Sequence, residues 1–170
     1  MRHLLVYSSR TGNTEKVARA VHAVLPPGTL IFDIKNAPAP DEYDCLSLGF
    51  WVHQAKPDPR MWNYMENITN KKVALFGTMA SYPDSDHAKK VIQNAYERLN
   101  NNAILGHFLC QGKLTSKRLD ECMSGNKANL HHPLTPERRA RLIEASRHPN
   151  EDDFRAVALT FRKLFSRASD

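Results

Sequence analysis

The sequence predicts an α/β fold, a doubly wound parallel sheet of five strands. Three observations carry that expectation. Short apolar runs alternate with stretches of helical periodicity along the chain. The run Val73-Ala74-Leu75-Phe76 is apolar at consecutive positions, the pattern of a strand covered on both faces. The first strand leads through a hydroxyl-rich turn directly into an amphipathic helix.

Taken in order, the first strand is Arg2–Tyr7, and the first helix runs from about Gly12 to Leu25, with Val17, Ala20, Val21 and Val24 on its apolar side. Pro26-Pro27-Gly28 stops it. Thr29–Ile34 and Cys45–Phe50 are the second and third strands, and a helix starts at Pro59 with Met61, Tyr64 and Met65 on one side. Lys72–Gly77 is the fourth strand. Ser85 caps the next helix, whose inner face is Ala88, Val91 or Ile92, Ala95 and Leu99, and Ile104–Cys110 is the fifth strand. A polar, partly helical excursion then occupies about 113–149. Within it, Thr135-Pro136 opens a short helix with a cap and a proline at the first position. A closing helix spans about 150–165, acidic at its start, basic near its end, with Phe154, Val157, Phe161 and Leu164 as its buried stripe. With 170 residues, the chain is expected to form one domain over 1–170.

Composition excludes several classes. No stretch approaches the roughly 20 apolar residues of a membrane span. The chain enters its first strand at once, so no signal peptide and a cytoplasmic location are expected. Cys45 and Cys110 lie in apolar runs, which suits free thiols acting as small hydrophobes. The net charge is +6, yet the cations are scattered apart from Arg138-Arg139-Arg141 and a basic carboxyl end. They read as solvated helix faces, so no nucleic acid is expected. His131-His132 and Cys122 fit no standard zinc spacing, so no metal is expected. No Gly-x-Ser-x-Gly elbow is present, and no catalytic residue is assigned.

The informative segment is Tyr7-Ser8-Ser9-Arg10-Thr11-Gly12-Asn13-Thr14. A turn of this kind between a strand and a helix is an anion site, because free backbone N–H groups and the positive end of the helix dipole converge there. Ser9, Thr11, Asn13 and Thr14 add neutral donors, and Arg10 either adds charge or points to solvent.

The string resembles the phosphate loop of the flavodoxin superfamily, small/hydroxyl-x-Thr-Gly-Asn-Thr, with Ser9, Thr11, Gly12, Asn13 and Thr14 on its characteristic positions. Leu48–Val52, Ala74–Thr78, Tyr82–Ala88, Cys110–Lys113, Thr135–Arg141 and His148-Pro149 are similar to a bacterial group within that superfamily linked to a bilirubin reductase. The resemblance implies the strand order 2-1-3-4-5, FMN as cofactor, electron transfer as the function, and a redox partner protein, with a bilirubin reductase as the candidate. In that order the loops Ser8–Thr14, Gly49–Asp58 and Thr78–Asp84 meet at the carboxyl edge of the sheet. Ser9, Arg10, Thr11, Gly12, Asn13 and Thr14 would take the phosphate, and Trp51 and Tyr82 would sandwich the flavin ring, with Phe50 and Thr78 beside them. Trp51 and Phe50 also suit core positions at a strand end, and Lys56 is either a charge near the ring or a solvated lysine.

Two departures stand out. Flavodoxins are typically acidic, whereas this chain is basic and favours acidic partners. Many flavodoxins have a glycine in the second loop whose peptide flips towards flavin N5, and Trp51 through Lys56 contain none. The alternatives are therefore an FMN-dependent NAD(P)H oxidoreductase acting on a quinone or tetrapyrrole, and a flavin-free interaction module.

Overall fold

In the computed structural model, residues 1–124 and 133–167 are described. Five parallel strands make the sheet: β1 (His3–Tyr7), β2 (Leu30–Asp33), β3 (Cys45–His53), β5 (Lys72–Met79) and β6 (Ala103–Gln111). Their spatial order is β2-β1-β3-β5-β6, the doubly wound order expected; the numbering shifts because a short antiparallel strand, β4 (Lys56–Pro57), hangs off β3. The switch in strand order lies between β1 and β3, and in open parallel sheets ligands bind beside such a switch, outside the carboxyl ends of the strands.

Helices cover both faces. On one side α1 (Asn13–His22) and α6 (Glu151–Arg167) pack over Leu5, Cys45, Ala74 and Phe76 through Val17, Ala18, Val21, Val157 and Phe161. On the other, α2 (Pro59–Met65) and α3 (Asp86–Arg98) bring Met61, Met65, Val91 and Ala95 onto Leu4, Leu46, Leu48, Phe50 and Leu75. The central strands are apolar at consecutive positions because both of their faces meet a helix. Cys45 and Cys110 are buried free thiols, and burial pushes the Cys45 thiol up to about 12.

Helix starts follow local chemistry. The side chains of Asp58, Ser85, Thr115 and Thr135 each accept a backbone N–H in the first turns of α2, α3, α4 (Ser116–Met123) and α5 (Pro136–Ala145). Asn150 Oδ1 accepts from Asp152 N and Asp153 N at the start of α6. Each satisfies a helix amide that has no intrahelical acceptor.

One segment differs from expectation. The third strand continues through Trp51, Val52 and His53, so Trp51 is a strand residue rather than a loop residue. It continues because the chain turns back on itself: His53 pairs with Lys56 and Val52 with Pro57 across a two-residue loop, Gln54-Ala55. Both loop residues have positive φ, 48° and 58°, the backbone twist that suits a tight hairpin. Lys56, which the sequence left between a charge near a ring and a solvated lysine, is exposed and lies over the Trp62 ring, its Nζ 5.0 Å from the centroid. Arg98 lies over the same ring at 5.0 Å.

Among the described residues no helix is long and apolar enough to cross a membrane, and no three His, Cys, Asp or Glu side chains group as metal ligands. His131 and His132 lie outside the described residues.

Candidate functional site

The loop Ser8–Gly12 starts where β1 ends. Ser8 N donates to Gly49 O at 2.8 Å, which fastens the loop's first residue to β3. Ser8 Oγ donates to Asp58 Oδ1 at 2.8 Å, so the same residue is tied to the cap of α2. Gly12 N donates to Ser9 Oγ at 3.1 Å, closing the turn and leaving the Ser9 hydroxyl hydrogen free to donate elsewhere. Gly12 has φ 87°, a left-handed conformation that side chains other than glycine adopt only with strain.

The helix that follows is unlike its neighbours. At α1 the N-cap is Gly12 and no side chain caps the first turn, whereas α2 to α6 each have a side-chain acceptor. The leading amides of α1 are therefore donors without an internal acceptor, next to exposed Arg10 and Thr11 and half-buried Ser9.

The other two loops are drawn to this point by specific contacts. Thr14 and Thr78 are both buried, and their hydroxyl oxygens are 2.9 Å apart. The β3–β5 register sets Trp51 directly beside Thr78. Arg10 Cζ stands 5.6 Å from the Trp51 ring centroid, and His53 meets that ring edge-on at 5.5 Å. Ser9, Arg10, Thr11, Gly12, Asn13, Thr14, Trp51 and Thr78 are thus brought to one edge. Phe50 is fully buried, and its ring occupies the space a side chain on Gly77 would need, so its side chain serves the core. Tyr82 is 40% exposed, and its carbonyl accepts from Ser85 N and Ser85 Oγ, which shapes the third loop.

Two further residues, Asp58 and Gly112, belong to this edge. Asp58 is 1% exposed and its Oδ2 has no partner among the described residues. Burial raises its carboxyl above the ordinary value, and the hydrogen bonds from Ser8 and the α2 backbone only partly offset this. Asn13 donates Nδ2 to Lys113 O at 2.8 Å, while its Oδ1 is buried without a partner among the described residues. Gly112 lies beneath it; a Cβ there would fall 2.9 Å from Asn13 Nδ2. Asp58 carried one signal in the sequence, its place before a proline at a helix start. The contacts of Asn13 and Ser8 span 100 and 50 positions, and no local signal marks them.

The donor set suits a phosphate dianion: uncapped helix amides, neutral hydroxyls and one guanidinium. The indole of Trp51 at the rim suits a flat heteroaromatic ring.

Known proteins resemble this chain in sequence and fold. The Flavodoxin domain family matches residues 4–162. A flavodoxin-like domain-containing protein BilS of Clostridioides difficile (strain CD3) is 29% identical over 174 residues, covering 99% of each chain. The protein of the same description from Clostridium symbiosum (strain WAL-14163) is 28% identical over 181 residues, covering 92% of each. Among solved structures, a flavodoxin of Streptococcus pneumonia TIGR4 superposes with a TM-score of 0.62 at 13% identity, covering 98% of this chain and 99% of that one. A flavoprotein from Lactobacillus acidophilus NCFM, determined in complex with FMN, superposes with a TM-score of 0.53 at 13% identity over 64% of this chain and 92% of its own. With its fold and strand order in place and the family match running from the first strand into the last helix, this chain belongs to the flavodoxin domain family.

Proposed function

We propose that this chain binds FMN at the carboxyl edge of its sheet and passes electrons to a partner protein. The observation that carries the reading is the α1 N-terminus, which lacks a side-chain cap and is surrounded by Ser9, Arg10 and Thr11. Bound flavin would supply the electron chemistry at its ring. The chain's own part is to hold the phosphate with the α1 amides, Ser9 Oγ and Thr11 Oγ1, to stack the ring on Trp51, and to present one ring edge. The Thr14 hydroxyl is engaged with Thr78, so its role is to join the phosphate loop to the third loop. The family resemblance offers a bilirubin reductase as the partner to test first.

The test is a titration of the purified, flavin-free protein with FMN and with riboflavin, followed by flavin absorbance and tryptophan fluorescence. FMN should bind at least about 100-fold more tightly, since each donor to a charged phosphate contributes about 1.5–3 kcal/mol. Thr11→Ala should lower FMN affinity and leave riboflavin affinity unchanged. Equal affinity for the two flavins would remove the phosphate assignment.

A further inference from the structure

The positive charge of this chain is not evenly spread. Residues 113–149 contain eight Lys and Arg against four Asp and Glu, so this segment carries +4 of the net +6. The remaining 133 residues are close to neutral. Both ends of the segment are rooted at the carboxyl edge of the sheet. Lys113 O accepts from Asn13 of the phosphate loop, and Lys113 N donates to His148 O at 2.9 Å. Gly112 N donates to Met79 O and Gln111 Nε2 to Ala80 O, which ties the same root to the third loop.

The charge faces outward. Lys113, Lys117 and Arg139 are exposed, and none forms an ion pair within the described residues. Arg118 and Arg147 are exposed, and among the described residues their ion pairs are local, with Glu121 and Glu144. Arg138 Nη2 donates to Cys122 Sγ at 3.8 Å, joining α5 to α4, while Arg138 Nη1 and Arg141 Nε are buried without a partner among the described residues. The segment has no Phe, Trp or Tyr. A surface for single-stranded nucleic acid needs aromatic platforms for bases as well as cations. A cationic surface interspersed with acidic residues and without such platforms suits a folded acidic protein.

We propose that Lys113, Lys117 and Arg139 are the centre of a docking surface for an acidic protein, set at the root of the cofactor loops. The proposal takes its purpose from the electron-transfer reading. Its test uses flavin-free protein, so failure of FMN binding and failure of docking are separate results.

The probe is succinylated cytochrome c, an acidic protein, with native cytochrome c as its basic counterpart of the same fold. Isotope-labelled protein is titrated with each, and amide shifts and affinity are read at low and at moderate salt. The succinylated form should perturb amides of 113–124 and 135–147, and its affinity should fall about tenfold or more as salt screens the contact. Lys113→Glu, Lys117→Glu and Arg139→Glu combined should weaken binding at least about tenfold; the corresponding Gln triple should weaken it less, in the same direction. A matched triple elsewhere, Lys35→Glu, Lys90→Glu and Lys163→Glu, makes the same change in net charge and should stay within about twofold of the parent. Equal losses from the two Glu triples would overturn the proposal, because net charge alone would then explain binding. Shifts mapping outside the segment, equal binding of native cytochrome c, or tighter binding of a 20-nucleotide DNA at the same salt would also overturn it.

Discussion

Thr14 and Thr78 share one hydrogen bond, 2.9 Å between hydroxyl oxygens, across 64 positions of sequence. Both residues are buried, so this contact joins the first turn of α1 to the end of β5 where water cannot replace either partner. Thr78→Val keeps the shape and removes one hydroxyl, leaving the other unpaired. The expected loss is about 1–2 kcal/mol in urea unfolding, and the double variant Thr14→Val/Thr78→Val should cost less than the sum of the singles. Strict additivity would mean that the two hydroxyls do not depend on each other.

Much of this site was legible because its signals are local. The loop Ser9–Thr14 sits between an apolar run and an amphipathic helix, and the caps Ser85, Thr135 and Asn150 stand at the helix starts where their chemistry places them. The strand order came from family resemblance, and the structure has it. The β3–β4 hairpin was not legible. Its turn is Gln54-Ala55, without the glycine or asparagine that usually marks φ > 0, and so Trp51 read as a loop residue. Lys56 read as either a charge near the ring or a solvated lysine; in β4 it is exposed, and its ammonium lies over Trp62. The contacts of Ser8 with Asp58 and of Asn13 with Lys113 depend on tertiary proximity, which periodicity does not encode.

The hairpin turn makes a prediction about strain. Ala55 has φ 58° and its carbonyl is fixed by Asn94 Nδ2 at 2.7 Å, so the conformation is imposed by the surroundings. A residue with a Cβ in this region costs about 1–2 kcal/mol, and glycine avoids that. Ala55→Gly should raise stability by up to about 1 kcal/mol, after the lost methyl contact and the added freedom of the unfolded chain are deducted. The denaturation midpoint measures it. A destabilised variant would show that the Ala55 methyl matters more to packing than its backbone strain.

Asp58 makes a prediction about pH. Desolvation raises its carboxyl above the ordinary 3.8, so the folded protein keeps this proton to a higher pH than the unfolded chain does. The sign follows: its contribution to stability is fully present below 3.8 and is lost as pH rises through the folded value. Above that value a buried carboxylate with one unpartnered oxygen remains as a cost. Asp58→Asn keeps an acceptor for Ser8 Oγ and for Met61 N but cannot ionise. Relative to the variant, wild type should lose stability between pH 3.8 and neutrality, and the variant should be the more stable of the two at pH 7. Urea midpoints of both proteins at several pH values decide this, and a wild type that gains on the variant as pH rises would contradict it.

Arg10 stands where the phosphate-loop pattern usually has a small or hydroxyl residue, and its guanidinium lies 5.6 Å from the Trp51 ring centroid. It therefore joins the phosphate end of the proposed site to its ring end with a single positive charge. Reduced FMN carries negative charge, and a cation near it favours the reduced form. Arg10→Ser should lower the two-electron potential of the FMN-loaded protein by about 20 mV, equivalent to about 1 kcal/mol for an exposed charge after salt screening. The same change should weaken FMN binding more than riboflavin binding, because the phosphate also loses a partner. Trp51→Ala should weaken both flavins alike, since it acts on the ring. Trp62→Ala should affect neither, because Lys56 and Arg98 occupy the Trp62 ring. Spectroelectrochemical titration and the two flavin affinities separate these effects. An unchanged potential with weakened FMN binding would confine Arg10 to the phosphate, and a drop in potential with salt-independent magnitude would point to a direct contact rather than a field.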